Sequence, residues 1–305
     1  MEGKKNFSHK SGKNLIKIIK DDKDKEPKED PKIIRNSKKY KTVISKNLSL
    51  SIGPRYSQYL EQNSNFCDYM EDCALSIIQF NNENYRHLFC IFDGHGGNLT
   101  ANLCVKKYPE IFRKCLLENP FDYELAFKKS FLLMDKEIKE TNAMEVGNTA
   151  TVVFINNKLL YCANVGDSSC CLIGNKAEFI TIEDKCTNEK EMKRIEKAGG
   201  HINDGRIEGI LALSRGLGDF DLKNKGLIAD PHVTKKLIDH NINYCVLASD
   251  GVWDVLKPND VSKILQETNN IDDMAKVIVE KAVEKGSEDN ISCIVIELNK
   301  KPRSK

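Results

Sequence analysis

The pattern of hydrophobic and polar positions after about residue 46 predicts short strands mixed with amphipathic helices. Apolar runs of strand length occur in "CALSIIQF", "HLFCIF", "TATVVFI", "KLLYCANV", "SCCLIG", "NYCVLASD" and "NISCIVIEL". Apolar residues at three- and four-residue spacing, the period of a helix that buries one face, occur in "LTANLCVKKYPEIFRKCLL", "YELAFKKSFLLMDKEIKE", "NEKEMKRIEKAGG", "NDVSKILQE" and "DDMAKVIVEKAVEKG". The signals "NNENYR", "NNK" and "GDS" predict turns between neighbouring strands, and "GDS" is predicted to form a hairpin turn.

This order of elements favours one fold class. Hairpins grouped with antiparallel helices, without strict alternation of strand and helix, favour an α+β layered sandwich. Residues 201 to 240 show no regular period and are predicted to be irregular and to include a flap.

Composition divides the chain into three parts. Residues 1 to 45 are dominated by Lys, Asp, Glu and Ser and are predicted to be a disordered extension, because they hold too little apolar surface to offset chain entropy. We expect one folded domain over residues 46 to 300 and a basic tail over 301 to 305. The net charge of +2 gives no reason to expect nucleic acid, and no window reaches the roughly 18 to 20 apolar residues of a membrane span.

The cysteines are predicted to be thiols of the core. There are eleven, an odd number, and they are scattered without a C-x-x-C pair, so we interpret them as reduced core thiols. With no secretory signal at the N-terminus, the expected location is intracellular, either cytoplasmic or nuclear.

Several carboxylates stand at predicted strand ends. Two apolar runs stop at an Asp-Gly pair, and further acids precede a strand or occupy a turn; these acids are Asp93, Asp250, Asp289, Asp167 and the adjacent Glu71 and Asp72. A single Asp in a turn is common. Here, however, such acids occur in five segments, and at a shared site they would repel one another unless cations were bound. Oxygen ligands without a matching His or Cys set favour Mg²⁺ or Mn²⁺.

The stretch "FDGHGG" suggests how the ions would act. Gly94 lacks a Cβ, so its carbonyl is predicted to turn toward a metal ion, and Asp93 is predicted to bridge two ions. Two ions about 4 Å apart would hold a bridging hydroxide for in-line attack on phosphorus. His95 would then protonate the leaving oxygen; the alternative is that His95 only hydrogen-bonds a metal-binding carboxylate.

These residues resemble the metal-dependent protein serine/threonine phosphatases of the PPM or PP2C type. The matching motifs are "YMEDCAL", "FDGHGG", "GNTATVVFI", "LYCANVGDSS", "AGGHINDGRIEGILALSRGLGDFD", "ASDGVWD" and "GSEDNISCIVI". They occur in family order over residues 65 to 298, so the folded part is expected to be a PPM-type phosphatase domain.

The resemblance implies a four-layer α-β-β-α sandwich, in which two central, mainly antiparallel sheets are flanked by helix pairs and a binuclear Mg²⁺ or Mn²⁺ site lies in a cleft at one end. The implied metal ligands are Asp93, which bridges both ions, the Gly94 carbonyl, Asp250 and Asp289. Glu71 and Asp72 are implied to hold metal-bound waters. Asp167 matches a position that helps to hold a third, weaker ion in some members.

The chain departs from the family pattern at three positions. Cys67 stands where the family usually has an Arg that grips the substrate phosphate, so the phosphate-binding group is unknown. Ser169 and Lys185 stand where Arg and His are usual. Lys185 or Arg55 is a candidate for the missing positive charge.

The resulting hypothesis is a phosphatase that hydrolyses phosphoserine and phosphothreonine in proteins by attack of the metal-bridging hydroxide. The alternative is a catalytically weak member that serves as a phosphoprotein-binding scaffold; retention of the acids Asp93, Asp250 and Asp289 favours the enzyme. No cysteine is followed six residues later by arginine, which excludes cysteine-nucleophile phosphatases. The expected partners are phosphoprotein substrates, and a monomer is favoured.

Overall fold

The computed structural model describes residues 53–141 and 143–299. The predictions of a disordered extension over residues 1 to 45 and of a basic tail over residues 301 to 305 lie outside the described residues.

Two five-stranded antiparallel sheets form the centre of the fold. The first has the order β1-β15-β14-β8-β9, and its strands are β1 (Tyr56–Glu61), β8 (Ser169–Gly174), β9 (Ala177–Phe179), β14 (Ile242–Ala248) and β15 (Ile291–Glu297). The second has the order β13-β7-β6-β3-β2, and its strands are β2 (Cys73–Ile78), β3 (Arg86–Phe92), β6 (Ala150–Asn156), β7 (Leu159–Val165) and β13 (His232–Leu237).

Shorter elements and helices complete the fold. One three-stranded sheet consists of β4 (Gly94–His95), β5 (Gly147–Asn148) and β12 (Leu217–Gly218), and one hairpin consists of β10 (Ile202–Asn203) and β11 (Arg206–Ile207). The helices are α1 (Leu99–Glu118), α2 (Tyr123–Lys139), α3 (Glu189–Lys197), α4 (Phe220–Lys223), α5 (Asp250–Trp253), α6 (Pro258–Glu267) and α7 (Ile271–Glu284).

Side-chain alternation along the strands builds the layers. On β3, Phe89 and Ile91 pack between the two sheets, whereas Leu88, Cys90 and Phe92 face α1 and α2. On the other side of the molecule, β14 and β15 pack their outer faces against α5, α6 and α7. Because successive residues of a strand point to opposite faces, strands buried on both faces appear in the sequence as continuous apolar runs. The predicted four-layer α-β-β-α sandwich is therefore confirmed.

Two local predictions were wrong. The segment 201 to 240 is not irregular throughout, because His232–Leu237 forms an edge strand paired with β7. Its sequence "HVTKKL" is half exposed and lacks an apolar run, which explains why its period was missed. The segment around Asp167 is not a hairpin turn, since β7 and β8 belong to different sheets and the connection crosses between them.

None of the helices in the described ranges combines the length and the apolar character that a membrane span requires.

Candidate metal centre

Three acids converge at one end of the sandwich. Asp93 follows the last residue of β3, Asp250 follows β14 and begins α5, and Asp167 lies in the connection between the sheets. One carboxylate oxygen from each of the three lies within 4.8 Å of the others. The structure thus brings together Asp93 and Asp250, as predicted for two metal ligands, and places Asp167 with them.

The connection between the sheets also fixes the Asp93 carboxylate. Ser168 Oγ donates to Asp93 Oδ2 at 3.2 Å and lies 2.7 Å from Thr149 Oγ1. Below the connection, the buried Asp184 accepts from the Gly166 N–H at 3.0 Å and lies 2.8 Å from His232 Nε2. The loop that carries Asp167 is therefore held on both sides by hydrogen bonds.

Asp72 and Asp289 lie near the three acids and interact with them electrostatically. Asp72 is 3% exposed, and its Oδ2 has no hydrogen-bond partner among the described residues. Asp289 is exposed, with Oδ1 accepting from the Asn290 N–H at 2.7 Å. Its charge contributes to the raised pKa values of Asp93, Asp250 and Asp72.

The electrostatics of these acids fit divalent cations. Burial, reinforced by neighbouring carboxylates, raises the pKa of Asp93 well above its ordinary range and that of Asp250 to about 8. Burial likewise raises the pKa of Asp72 to about 6. Buried carboxylates that disfavour their own charge are stabilised by a cation, and an all-oxygen donor set suits Mg²⁺ or Mn²⁺. The unpartnered Asp72 Oδ2 leaves an acceptor available for a metal-bound water.

Gly94 also has a steric role, which the sequence analysis did not predict. Its φ is not positive, and a Cβ at this position would lie 2.7 Å from the Glu71 carbonyl oxygen. The backbone atom that approaches Gly94 is thus a protein carbonyl. The next residue but one, Gly96, has φ 71°, where glycine is favoured, and a Cβ there would lie 2.7 Å from the Glu145 carbonyl oxygen.

Glu71 and Cys67 occupy the loop beside Asp289. The Glu71 N–H donates to Asn290 Oδ1 at 2.7 Å, and the Asn290 side-chain amide donates to the Tyr69 carbonyl at 3.0 Å. Cys67 Sγ lies 4.0 Å from Asp289 Oδ1. Burial first, and the charge of Asp289 next, raise the pKa of the Cys67 thiol, so this position offers a neutral group at the rim of the site.

Of the two cations considered as replacements for the missing Arg, only Lys185 lies at this end of the molecule. Lys185 Nζ is 3.7 Å from Asp167 Oδ2 and 3.9 Å from Glu183 Oε2. Arg55 forms an ion pair with Glu297, and the Glu297 N–H donates to the Arg55 carbonyl. Glu297 is the last residue of β15, at the end of the strand opposite to Asp289. At roughly 3.3 Å per strand residue, that end is about 25 Å away, which eliminates Arg55.

His95 has a carboxylate partner that the sequence analysis did not single out. His95 Nε2 lies 2.7 Å from Asp219 Oδ2, and the His95 side chain is 31% exposed. Asp219 stands in the "GLGDFD" stretch, and the paired glycines before this acid were the available signal.

The protein phosphatase 2C family model matches residues 58–291. This chain belongs to the protein phosphatase 2C family. It is 34% identical over 245 residues to "Probable protein phosphatase 2C 69" of Arabidopsis thaliana, which covers 77% of this chain and 68% of the relative. It is 31% identical over 256 residues to "Protein phosphatase 2C homolog 1" of Saccharomyces cerevisiae, with 77% and 90% covered.

A solved phosphatase 2C structure supports the fold of this PP2C domain. The crystal structure of serine-threonine phosphatase 2C from Toxoplasma gondii superposes with a TM-score of 0.66 at 20% identity, covering 81% of this chain and 98% of the other. The resemblance inferred from the motifs is thereby confirmed, and this PP2C chain is a phosphoprotein phosphatase of a metal-dependent family.

Proposed function

We propose that the protein hydrolyses phosphoserine and phosphothreonine in proteins at a binuclear Mg²⁺ or Mn²⁺ centre. The observation that carries this proposal is the meeting of Asp93, Asp167 and Asp250, whose oxygens lie within 4.8 Å of one another. Bound ions would activate a water molecule as nucleophile and neutralise charge on the phosphoryl oxygens.

The proposed ligands are Asp93, which would serve both ions, the Gly94 carbonyl, Asp250 and Asp289. Glu71 and Asp72 would orient waters in the metal coordination spheres, and the unpartnered Asp72 Oδ2 supports that role. Asp167 would hold a third, weaker ion. The raised pKa values of Asp93 and Asp250 support this assignment, because burial and the neighbouring carboxylates disfavour the charged forms and a bound cation would offset both effects.

His95 would give a proton to the leaving oxygen. An alkoxide from serine or threonine is a poor leaving group, so a positioned acid is expected to matter more for these substrates than for aryl phosphates. The partial exposure of His95 supports contact with a substrate.

The decisive experiment compares a phosphothreonine peptide, the matched phosphotyrosine peptide and p-nitrophenyl phosphate, before and after exhaustive chelation and after Mn²⁺ is restored. The proposal predicts turnover of the phosphothreonine peptide that disappears with chelation and returns with Mn²⁺. Undiminished turnover without metal would refute the mechanism, and preference for phosphotyrosine would refute the specificity.

A scaffold function is favoured by one observation, the neutral Cys67 thiol at the rim where family members usually carry an Arg. A chain that binds the phosphothreonine peptide with Mn²⁺ and releases no phosphate would be such a scaffold.

The substrates would be intracellular phosphoproteins, in the cytoplasm or nucleus, because all eleven cysteines are free thiols. A monomer is proposed, and sedimentation measures it directly.

A further inference from the structure

His95 and Asp219 form a contact pair that joins distant parts of the chain. His95 Nε2 and Asp219 Oδ2 are 2.7 Å apart, although the residues are 124 positions apart in sequence. Asp219 is 6% exposed, so its carboxylate is largely removed from water. A buried carboxylate at this distance strongly restricts the orientation of the imidazole, because charge-assisted hydrogen bonds are short and sensitive to geometry.

The small three-stranded sheet explains how the pair meets. His95 on β4 pairs with Gly147 on β5, and Gly147 pairs with Gly218 on β12, the neighbour of Asp219. At position 147, therefore, the middle strand places no side chain between the two outer strands. A Cβ on Gly147 would lie 1.9 Å from Asp219 Oδ2 and 2.6 Å from His95 Nε2. The contact can form only because residue 147 is glycine.

The backbone of Asp219 is held in a costly conformation. Asp219 has φ 48° and ψ 53°, in the left-handed region that non-glycine residues rarely adopt. The preceding Gly218 has φ 83°, and a Cβ there would lie 2.3 Å from the Val146 carbonyl oxygen. Strain of this kind persists where surrounding structure enforces it, and it concentrates at functional sites.

A second carboxylate holds the turn in place. The Gly218 N–H donates to Asp135 Oδ1 at 2.9 Å, and Lys223 Nζ is 2.9 Å from the same oxygen. Lys223 Nζ also donates to the Gly216 carbonyl at 2.9 Å. Asp135 and Lys223 thus stabilise the backbone that leads into Asp219, at Gly218 and Gly216, while the Asp219 carboxylate contacts His95.

We propose that Asp219 is a positioning residue that orients the His95 imidazole for proton transfer to the leaving oxygen. With Nε2 directed at Asp219, Nδ1 is the ring nitrogen left to face the substrate. This inference rests on the proposed acid role of His95. It predicts that Asp219 matters for substrates whose leaving oxygen needs a proton and matters little for substrates whose leaving group departs as a stable anion.

The test compares kcat for a phosphothreonine peptide and for p-nitrophenyl phosphate at saturating Mn²⁺. Because general acid catalysis contributes roughly 10²- to 10⁴-fold, Asp219→Ala is expected to lower kcat for the peptide by about tenfold or more. It should leave kcat for the aryl ester within about threefold, with KM for both unchanged. The matched control is Asp221→Ala, an exposed acid in α4, the short helix that begins directly after Asp219; this variant should change kcat for neither substrate.

A double-mutant cycle separates positioning from a structural role. In a His95→Ala background, Asp219→Ala should cause no further loss on the peptide, since the residue it positions is absent. Losses that multiply, or a loss equal for both substrates, would overturn the proposal. If the alanine variant fails to fold, Asp219→Asn replaces it. Asn is a weaker, uncharged acceptor, so this variant should again lose kcat selectively for the peptide, by about threefold. Wild-type turnover of both substrates by this variant would also overturn the proposal.

A measurement without turnover distinguishes this inference from the proposed function. In ¹⁵N imidazole spectra of the metal-free protein, a hydrogen-bonded Nε2 resonance of His95 is expected in the wild type and should be lost in Asp219→Ala. A resonance unaffected by that substitution would refute the pairing itself. A wild type that hydrolyses neither substrate but shows this resonance would refute the proposed function and the acid role, leaving only the contact.

Discussion

Replacing Asp250 with Asn should stabilise the metal-free protein while removing its response to metal. Burial, followed by the charges of Asp167 and Asp289, raises the pKa of Asp250 from 3.8 to about 8. At pH 7 the unfolded chain has lost a proton that the metal-free folded chain retains. Each unit of this difference corresponds to about 1.36 kcal/mol, so the carboxyl destabilises the fold by at most about 4 kcal/mol at pH 7.

The expected gain is smaller than this upper limit. Asp250 is partly exposed, and screening by water reduces electrostatic energies at such positions. We therefore expect Asp250→Asn to raise the free energy of unfolding by about 1 to 2 kcal/mol at pH 7, or the Tm by about 2 to 8 °C for a domain of this size. The substitution preserves side-chain shape, so packing should contribute little.

The pH dependence follows from the same shift. The folded state binds the proton more tightly than the unfolded state, so the stability of the metal-free wild type should fall as pH rises from about 4 to about 8. Asp72, with a pKa raised to about 6, adds to this fall up to about that pH. The variant should show a shallower dependence between pH 6 and 8, because the contribution of Asp250 to the fall is removed.

Urea unfolding after chelation provides the assay. The chain contains one tryptophan, Trp253, which is 8% exposed and should report unfolding by fluorescence. Mn²⁺ should raise the urea midpoint of the wild type and have little effect on Asp250→Asn, with the exposed Asp221→Asn as control. Lower metal-free stability of Asp250→Asn at pH 7, or equal stabilisation of both proteins by Mn²⁺, would show that Asp250 is not a repelled metal ligand.

Three further predictions concern the rim, the loop beneath the site and the N-terminal extension. Cys67→Arg should lower KM for a small phosphate ester by about tenfold in steady-state assays, because a charge-assisted contact contributes roughly 1.5 to 3 kcal/mol. If neither Cys67→Arg nor Lys185→Ala changes KM, phosphate is not held at this rim. Arg215→Met should cost up to about 3 to 5 kcal/mol of unfolding free energy in urea, because the buried Glu191 then keeps only Arg194, and the buried Asp184 only His232, as a cationic partner; a loss below 1 kcal/mol would contradict this. Deleting residues 1 to 45 should leave kcat for p-nitrophenyl phosphate unchanged, and a large loss would show that the extension belongs to the domain.

Local sequence patterns determined most of the secondary structure and the chemistry of the site. The continuous apolar run before Asp93 was sufficient to predict a strand, because such a run is a property of neighbouring residues. The Asp-Gly pairs at the ends of two such strands predicted a carboxylate site, and the chain order of the motifs predicted the family. Asp93 and Asp250 do meet, as that prediction required.

The tertiary structure decided which distant residues meet and why particular small residues are needed. Asp167 was predicted to lie in a hairpin turn, but its connection crosses between the two sheets. A short turn signal does not specify which strand the next strand pairs with. Gly94 accommodates the Glu71 carbonyl, and Gly147 accommodates the contact between His95 and Asp219. Strand order and register set these approaches, and both depend on packing over the whole domain, which local hydrophobic periodicity does not encode.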